Sequence, residues 1–115
     1  MSRPYSDRFL IELAKANPNR AGTALAQACV NAKLPTKYVA WAIEVSRMTV
    51  FSWFRGKPIR HKNLLKVETL TDLIESDTAK GVLPAKNVAA AIKYLEEMVG
   101  RKYEETKALG VTLIH

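Results

Sequence analysis

Cysteine is nearly missing from this 115-residue chain: Cys29 stands alone, so no intrachain disulfide can form and a reducing compartment suits it. Histidine is almost as scarce. His61 and His115 are the only two, and His61 has no second histidine or cysteine near it, which argues against a metal site. There is no glycine-rich loop to cradle a phosphate and no H-x-E pattern, so the parts of an enzyme are lacking and no cofactor is expected. No apolar run approaches the roughly 18 residues of a membrane span. The N-terminal stretch MSRPYSDRFL lacks the apolar segment of a signal peptide, and a cytoplasmic protein with no membrane partner is the expectation.

Acid is the other shortage, and it is local. Residues 1–63 carry eleven Lys and Arg against three acids, Asp7, Glu12 and Glu44, whereas residues 64–115 carry seven against eight. The formal charge of +7 therefore belongs to the first half. Within that half Arg47, Arg55, Lys57, Arg60 and Lys62 follow one another with no acid between. A polyanion partner follows, because neutralising phosphates releases their counterions and gives strong, salt-dependent attraction. A plain solvated basic surface is the alternative on charge alone.

With 48 % hydrophobic residues the chain can build one core, and a single domain over 1–115 is expected. Periodicity predicts an all-α bundle of about five to six helices. The first begins at Ser6-Asp7, ends before Asn17-Pro18, and buries Phe9, Leu10, Leu13 and Ala14. The second spans about 21–32 on Leu25, Ala28, Cys29 and Ala32, and its alanines allow close approach of a neighbour. Cys29 on that stripe reads as a small buried hydrophobe. After Leu34-Pro35, Thr36 is placed to cap a third helix with Val39, Ala40 and Ile43 inward. A fifth helix, about 62–75, presents Leu64, Leu65, Val67, Leu70, Leu73 and Ile74 on more than one face, as a central helix would. Residues 76–83 read as a loop, and Pro84 as the first-turn proline of a helix with Val88, Ala91, Ile92, Leu95, Met98 and Val99 aligned. RKYEETKA reads as its solvated extension. The tail GVTLIH is apolar and β-prone, and leaves open a short C-terminal strand paired in a dimer, a core plug, or disorder.

The stretch 36–57, TKYVAWAIEVSRMTVFSWFRGK, gathers these signals. Ser46 can cap a helix over 47–55 and Gly56 can close it. Val50, Trp53 and Phe54 form its inward stripe, leaving Arg47, Met48, Phe51 and Ser52 on the other face. A helix fits the major groove of DNA, where each base pair shows a distinct pattern of donors and acceptors. Arg47 can bond guanine O6 and N7 together, Met48 and Phe51 suit thymine methyls, and Ser52 can reach a base edge or a phosphate. Phe51 has a second reading, as a packing contact on a neighbouring helix. Thr36, Lys37, Thr49, Arg55, Lys57, Arg60 and Lys62 are the phosphate-binding candidates.

This stretch resembles the helix-turn-helix of the phage Cro and lambda-repressor-like family, also called the xenobiotic-response-element type. Ala40 stands at the small central position of the first motif helix, Val50 and Trp53 at the locking positions of the second, and Gly56-Lys57 at the pair that follows. The likeness covers about 20–76. It implies a sequence-specific DNA-binding regulator, phage-encoded and at work in the host-cell cytoplasm, and it places Arg60 or Lys62 near the minor groove. Glu44 departs from the pattern, since glycine is usual in that turn, and a positive φ there costs about 1 kcal/mol. A homodimer is expected because one short helix reads few base pairs. The stripe 88–99 or the tail 111–115 would form the interface, unless the stripe closes the core of one chain. Two other readings stay open: a packaging or architectural protein such as a small terminase subunit, and a protein-interaction module in which Met48, Phe51 and Phe54 dock a partner.

Overall fold

The computed structural model describes residues 6–15 and 20–103, without the side chains of 12–14. Six helices account for its regular structure, with no strand among the described residues. They are α1 (Asp7–Lys15), α2 (Ala21–Ala32), α3 (Thr36–Ile43), α4 (Arg47–Phe54), α5 (His61–Ala79) and α6 (Val88–Val99). The expected all-α bundle is what the chain forms.

Each boundary has a local cause. Ser6 caps α1 by accepting from the Phe9 amide at 3.2 Å. Both α2 and α3 end on a left-handed residue without glycine, Lys33 at φ 58° and Glu44 at φ 68°. In each case the next amide returns to the helix, Leu34 to the Cys29 carbonyl at 3.0 Å and Val45 to that of Ala40 at 3.1 Å. The following side chain then turns inward, Leu34 fully and Val45 in part, which is the hydrophobic closure of a Schellman motif. Packing against the core holds two residues in a conformation they disfavour by about 1–2 kcal/mol each.

Leu25, Cys29, Val39, Val50, Phe54, Val67, Ile74 and Leu95 fill the core from five helices. The long α5 lies along α2, whose Ala26, Ala28 and Ala32 are buried. At its other end α2 meets α4 so closely that a β-carbon on Gly22 would strike the Trp53 backbone carbonyl. Ala40 is buried in α3, and α3 carries α4 and α6.

Four expectations need correction. Thr36 is the first residue of α3, and Pro35 stands at the cap with no side-chain bond. The helix begun at His61 runs on to Ala79, through residues expected to form a loop, because Thr78 folds its hydroxyl back onto the Ile74 carbonyl at 2.8 Å and solvates itself within the helix. Pro84 lies in the connecting loop after a cis bond. The sixth helix starts instead where the Asn87 carboxamide accepts from the Ala90 amide at 2.8 Å, a stronger start signal than the proline three residues earlier. Gly100, at φ 69°, ends α6, and residues 101–103 leave the helix rather than extend it. The remainder of that extension, and the tail GVTLIH with its strand, lie outside the described residues.

Candidate nucleic-acid interface

The turn between α3 and α4 is built as its sequence predicts. Ser46 Oγ accepts from the Thr49 amide at 3.1 Å and lies 2.8 Å from Thr49 Oγ1. Gly56 takes φ 93° beyond α4, and the Lys57 amide bonds the Ser52 carbonyl at 3.1 Å. Between these stops Val50, Trp53 and Phe54 are buried. An eight-residue helix seated by three large side chains has little freedom to roll, so its outer residues are held in fixed directions.

Those outer residues are Arg47 and Met48, both in the first turn and exposed, Met48 at 82 %. Ser52 and Thr49 are half-buried. Of its two readings, Phe51 follows the packing contact rather than the open face. It is half-buried, with its ring centroid 6.3 Å from that of Phe9 and 6.2 Å from that of Phe54, both edge-on. Phe9 also lies 5.9 Å from Phe54, so α1 closes a three-ring cluster over this side of α4, a geometry aromatic rings favour. Phe54 itself is 1 % exposed and is no part of any docking surface.

Cations lie on α4 and on the segments next to it in the chain: Arg47 within the helix, Arg55 and Lys57 just after it, Lys37 at the start of α3, and Arg60 and Lys62 at the start of α5. Lys37, Arg47, Arg55, Lys57, Arg60 and Lys62 are all exposed. Among the described residues Arg47, Arg55, Lys57, Arg60 and Lys62 have no carboxylate partner. Lys37 Nζ lies 5.7 Å from the centre of the Tyr38 ring. Glu44, the one acid of the motif, reaches Lys66 at 3.9 Å. Thr36 differs from the rest of its group. It is 5 % exposed and its hydroxyl has no hydrogen-bond partner among the described residues, so any phosphate at the start of α3 would meet backbone amides and Lys37 rather than this side chain.

One cation escaped the sequence reading. The Arg20 side chain stands beside Gly56, 3.8 Å from where a β-carbon would lie, which adds an exposed charge to the C-terminal end of α4. Residues 36 positions apart carry no local signal of that neighbourhood, and only the α2–α4 contact creates it. Arg101 does the opposite and leaves the pool of free charge. Its Nη2 donates to the carbonyls of Trp41 at 3.3 Å and Ala42 at 3.1 Å, and its guanidinium lies 4.8 Å over the Trp41 ring. A cation at the C-terminal end of α3 is favoured by the helix dipole.

The remaining titratable groups offer little chemistry. Burial pushes the Cys29 thiol far above its ordinary range, which suppresses the reactive thiolate. Burial, then the hydrogen bond to Asp77 at 2.6 Å, raises the Tyr94 phenol. No group of three metal-ligating side chains occurs among the described residues. None of the helices searched among them is long and apolar enough to cross a membrane.

Comparison with protein-family models, with curated proteins and with solved structures gives no match for the chain.

Proposed function

We propose that the chain binds double-stranded DNA with α4 in the major groove, as a dimeric, phage-type transcriptional regulator. One observation carries the reading. A short helix capped at both ends presents Arg47 and an 82 %-exposed Met48 from its first turn, and Arg47 and the cations that follow the helix in the chain, Arg55, Lys57, Arg60 and Lys62, have no carboxylate partner among the described residues. An exposed thioether and an unpaired guanidinium side by side gain nothing on a free surface. In a major groove they meet a thymine methyl and a guanine edge. Arg20, Lys37, Arg55, Lys57, Arg60 and Lys62 would hold the phosphates and fix the register of α4 without reading sequence. The aromatic cluster of Phe9, Phe51 and Phe54 then serves to seat the helix.

Selection from random-sequence DNA, followed by binding at several salt concentrations, tests this. A recovered motif with two related halves, and an affinity that falls steeply with salt, is the expected result. Salt-dependent binding with no motif would replace the regulator by a packaging or architectural protein. No binding at low salt would remove DNA altogether.

A further inference from the structure

A second feature of the fold involves no residue of α4. Between the N-terminal half of α5 and the last turn of α6 lies an apolar groove of about 330 Å³. Ala42 and Ile43 of α3, Leu65 and Leu73 of α5, and Met98 and Val99 of α6 line it. The two rims are joined elsewhere, where Tyr94 Oη donates to the Asp77 carboxylate at 2.6 Å, but at the groove they stand apart. Leu65 is 75 % exposed and Leu73 42 %, whereas a helix central to the bundle would have buried both. The groove is roomy enough for aliphatic side chains and has too few polar groups to hold ordered water well.

The path of the chain says what lies within reach. After α6, Arg101 is tied to the carbonyls of Trp41 and Ala42, and Ala42 is itself a groove residue. Tyr103 sets its ring edge-on to Tyr38 at 5.2 Å and Trp41 at 5.3 Å, and its amide donates to Glu96 Oε2 at 2.8 Å. The last described residue is therefore pinned on α3, the helix that floors the groove. Twelve residues follow it, EETKALGVTLIH, enough to span about 40 Å when extended. In an extended segment Leu109, Val111 and Leu113 fall on one face at period two, with Gly110, Thr112 and Ile114 on the other.

We propose that this groove is a docking site for the chain's own residues 109–113, with Leu109, Val111 and Leu113 facing Leu65, Leu73 and Val99. The tether decides between this segment and a second copy. A segment anchored at Tyr103 presents itself at an effective concentration on the order of millimolar, above that of a separate chain at micromolar concentration, and the loop it closes is short.

Methyl-labelled full-length protein tests it by nuclear Overhauser contacts. Contacts from the Leu109, Val111 and Leu113 methyls to those of Leu65, Leu73 and Val99 are expected, and they should vanish from a spectrum filtered for contacts between labelled and unlabelled chains. Leu113→Asp should shift the Leu65 and Leu73 methyl signals and lower Tm by about 5 °C; Thr112→Asp, on the opposite face, should do neither. Absence of the contacts overturns the proposal, as does their appearance only between chains, which would give the groove to a second copy. Equal effects of the two substitutions would overturn the assigned face.

Discussion

The two neighbours of α3 are packed in contrasting ways. On α4 the fit is closed: Val50, Trp53 and Phe54 are buried, and α2 approaches until Gly22 meets the Trp53 backbone. Beside α6 the fit is open, with an apolar groove and two leucines left in solvent. A surface that must read the positions of atoms has to be held still, and the tight packing of α4 suits the proposed reading of DNA. An incomplete apolar seam is instead suited to receiving something. The difference puts a rigid seat and an open apolar seam on separate contacts of one short helix.

The contrast breaks first at Gly22. Gly22→Ala should cost about 3 kcal/mol, because the added methyl must push the α4 backbone rather than a flexible side chain. Denaturant unfolding measures the loss. A substitution that cost nothing would mean that α4 is less firmly seated than its burial suggests.

Phe51 distinguishes seating from reading. Phe51→Ala should destabilise the fold by about 2 kcal/mol, less than for a fully buried ring, since Phe51 is half-buried against Phe9 and Phe54. The base preference recovered by DNA selection should survive at temperatures where the variant is folded. A stable variant with altered preference would return Phe51 to the groove-reading face.

These two positions also mark how far the sequence could be read. Ser46 and Gly56 announce their helix ends because capping is chemistry within a few residues, and the bond from Ser46 to Thr49 and the positive φ of Gly56 are both present. Val50, Trp53 and the α2 stripe follow from helical period alone. The contact of Phe9 with Phe51, the collision point at Gly22 and the nearness of Arg20 to Gly56 all join distant parts of the chain. Periodicity assigns a residue to a face but does not say which neighbour covers it. Leu65 and Leu73 show the reverse error: their apolar character predicted burial, yet both are exposed. Pro84 misled because a proline fits a loop as well as a first turn, while Asn87 carried the decisive side-chain bond.

Charge gives two smaller effects that should differ in kind. Arg47→Ala should lose about 1.5 kcal/mol of discrimination at one base pair while leaving other sequences nearly unaffected. Lys57→Ala should weaken binding to every sequence and reduce the salt slope by about 0.9. Competition binding against single-base variants of the selected site, repeated across salt concentrations, measures both. If the two substitutions behave alike, Arg47 is one more phosphate contact and α4 reads less than its exposure implies.

The smallest effect lies in the turn that sets α4 against α3. Glu44 sits at φ 68°, a conformation that costs an L-residue about 1–2 kcal/mol and glycine almost nothing. Glu44→Gly relieves that strain, but glycine loses about 0.5–1 kcal/mol more backbone freedom on folding. The ion pair with Lys66 is lost as well. At 3.9 Å between side chains that are 63 % and 53 % exposed, it contributes only about 0.3 kcal/mol. The balance is a gain of about 0.5 kcal/mol, visible as a small rise in the denaturant midpoint. The substitution also removes the one acid of the motif, so affinity for DNA should rise for all sequences, most at low salt. A more stable protein with unchanged affinity would show that Glu44 lies too far from the bound phosphates to be felt. A less stable one would show that the Lys66 pair outweighs the strain it accompanies.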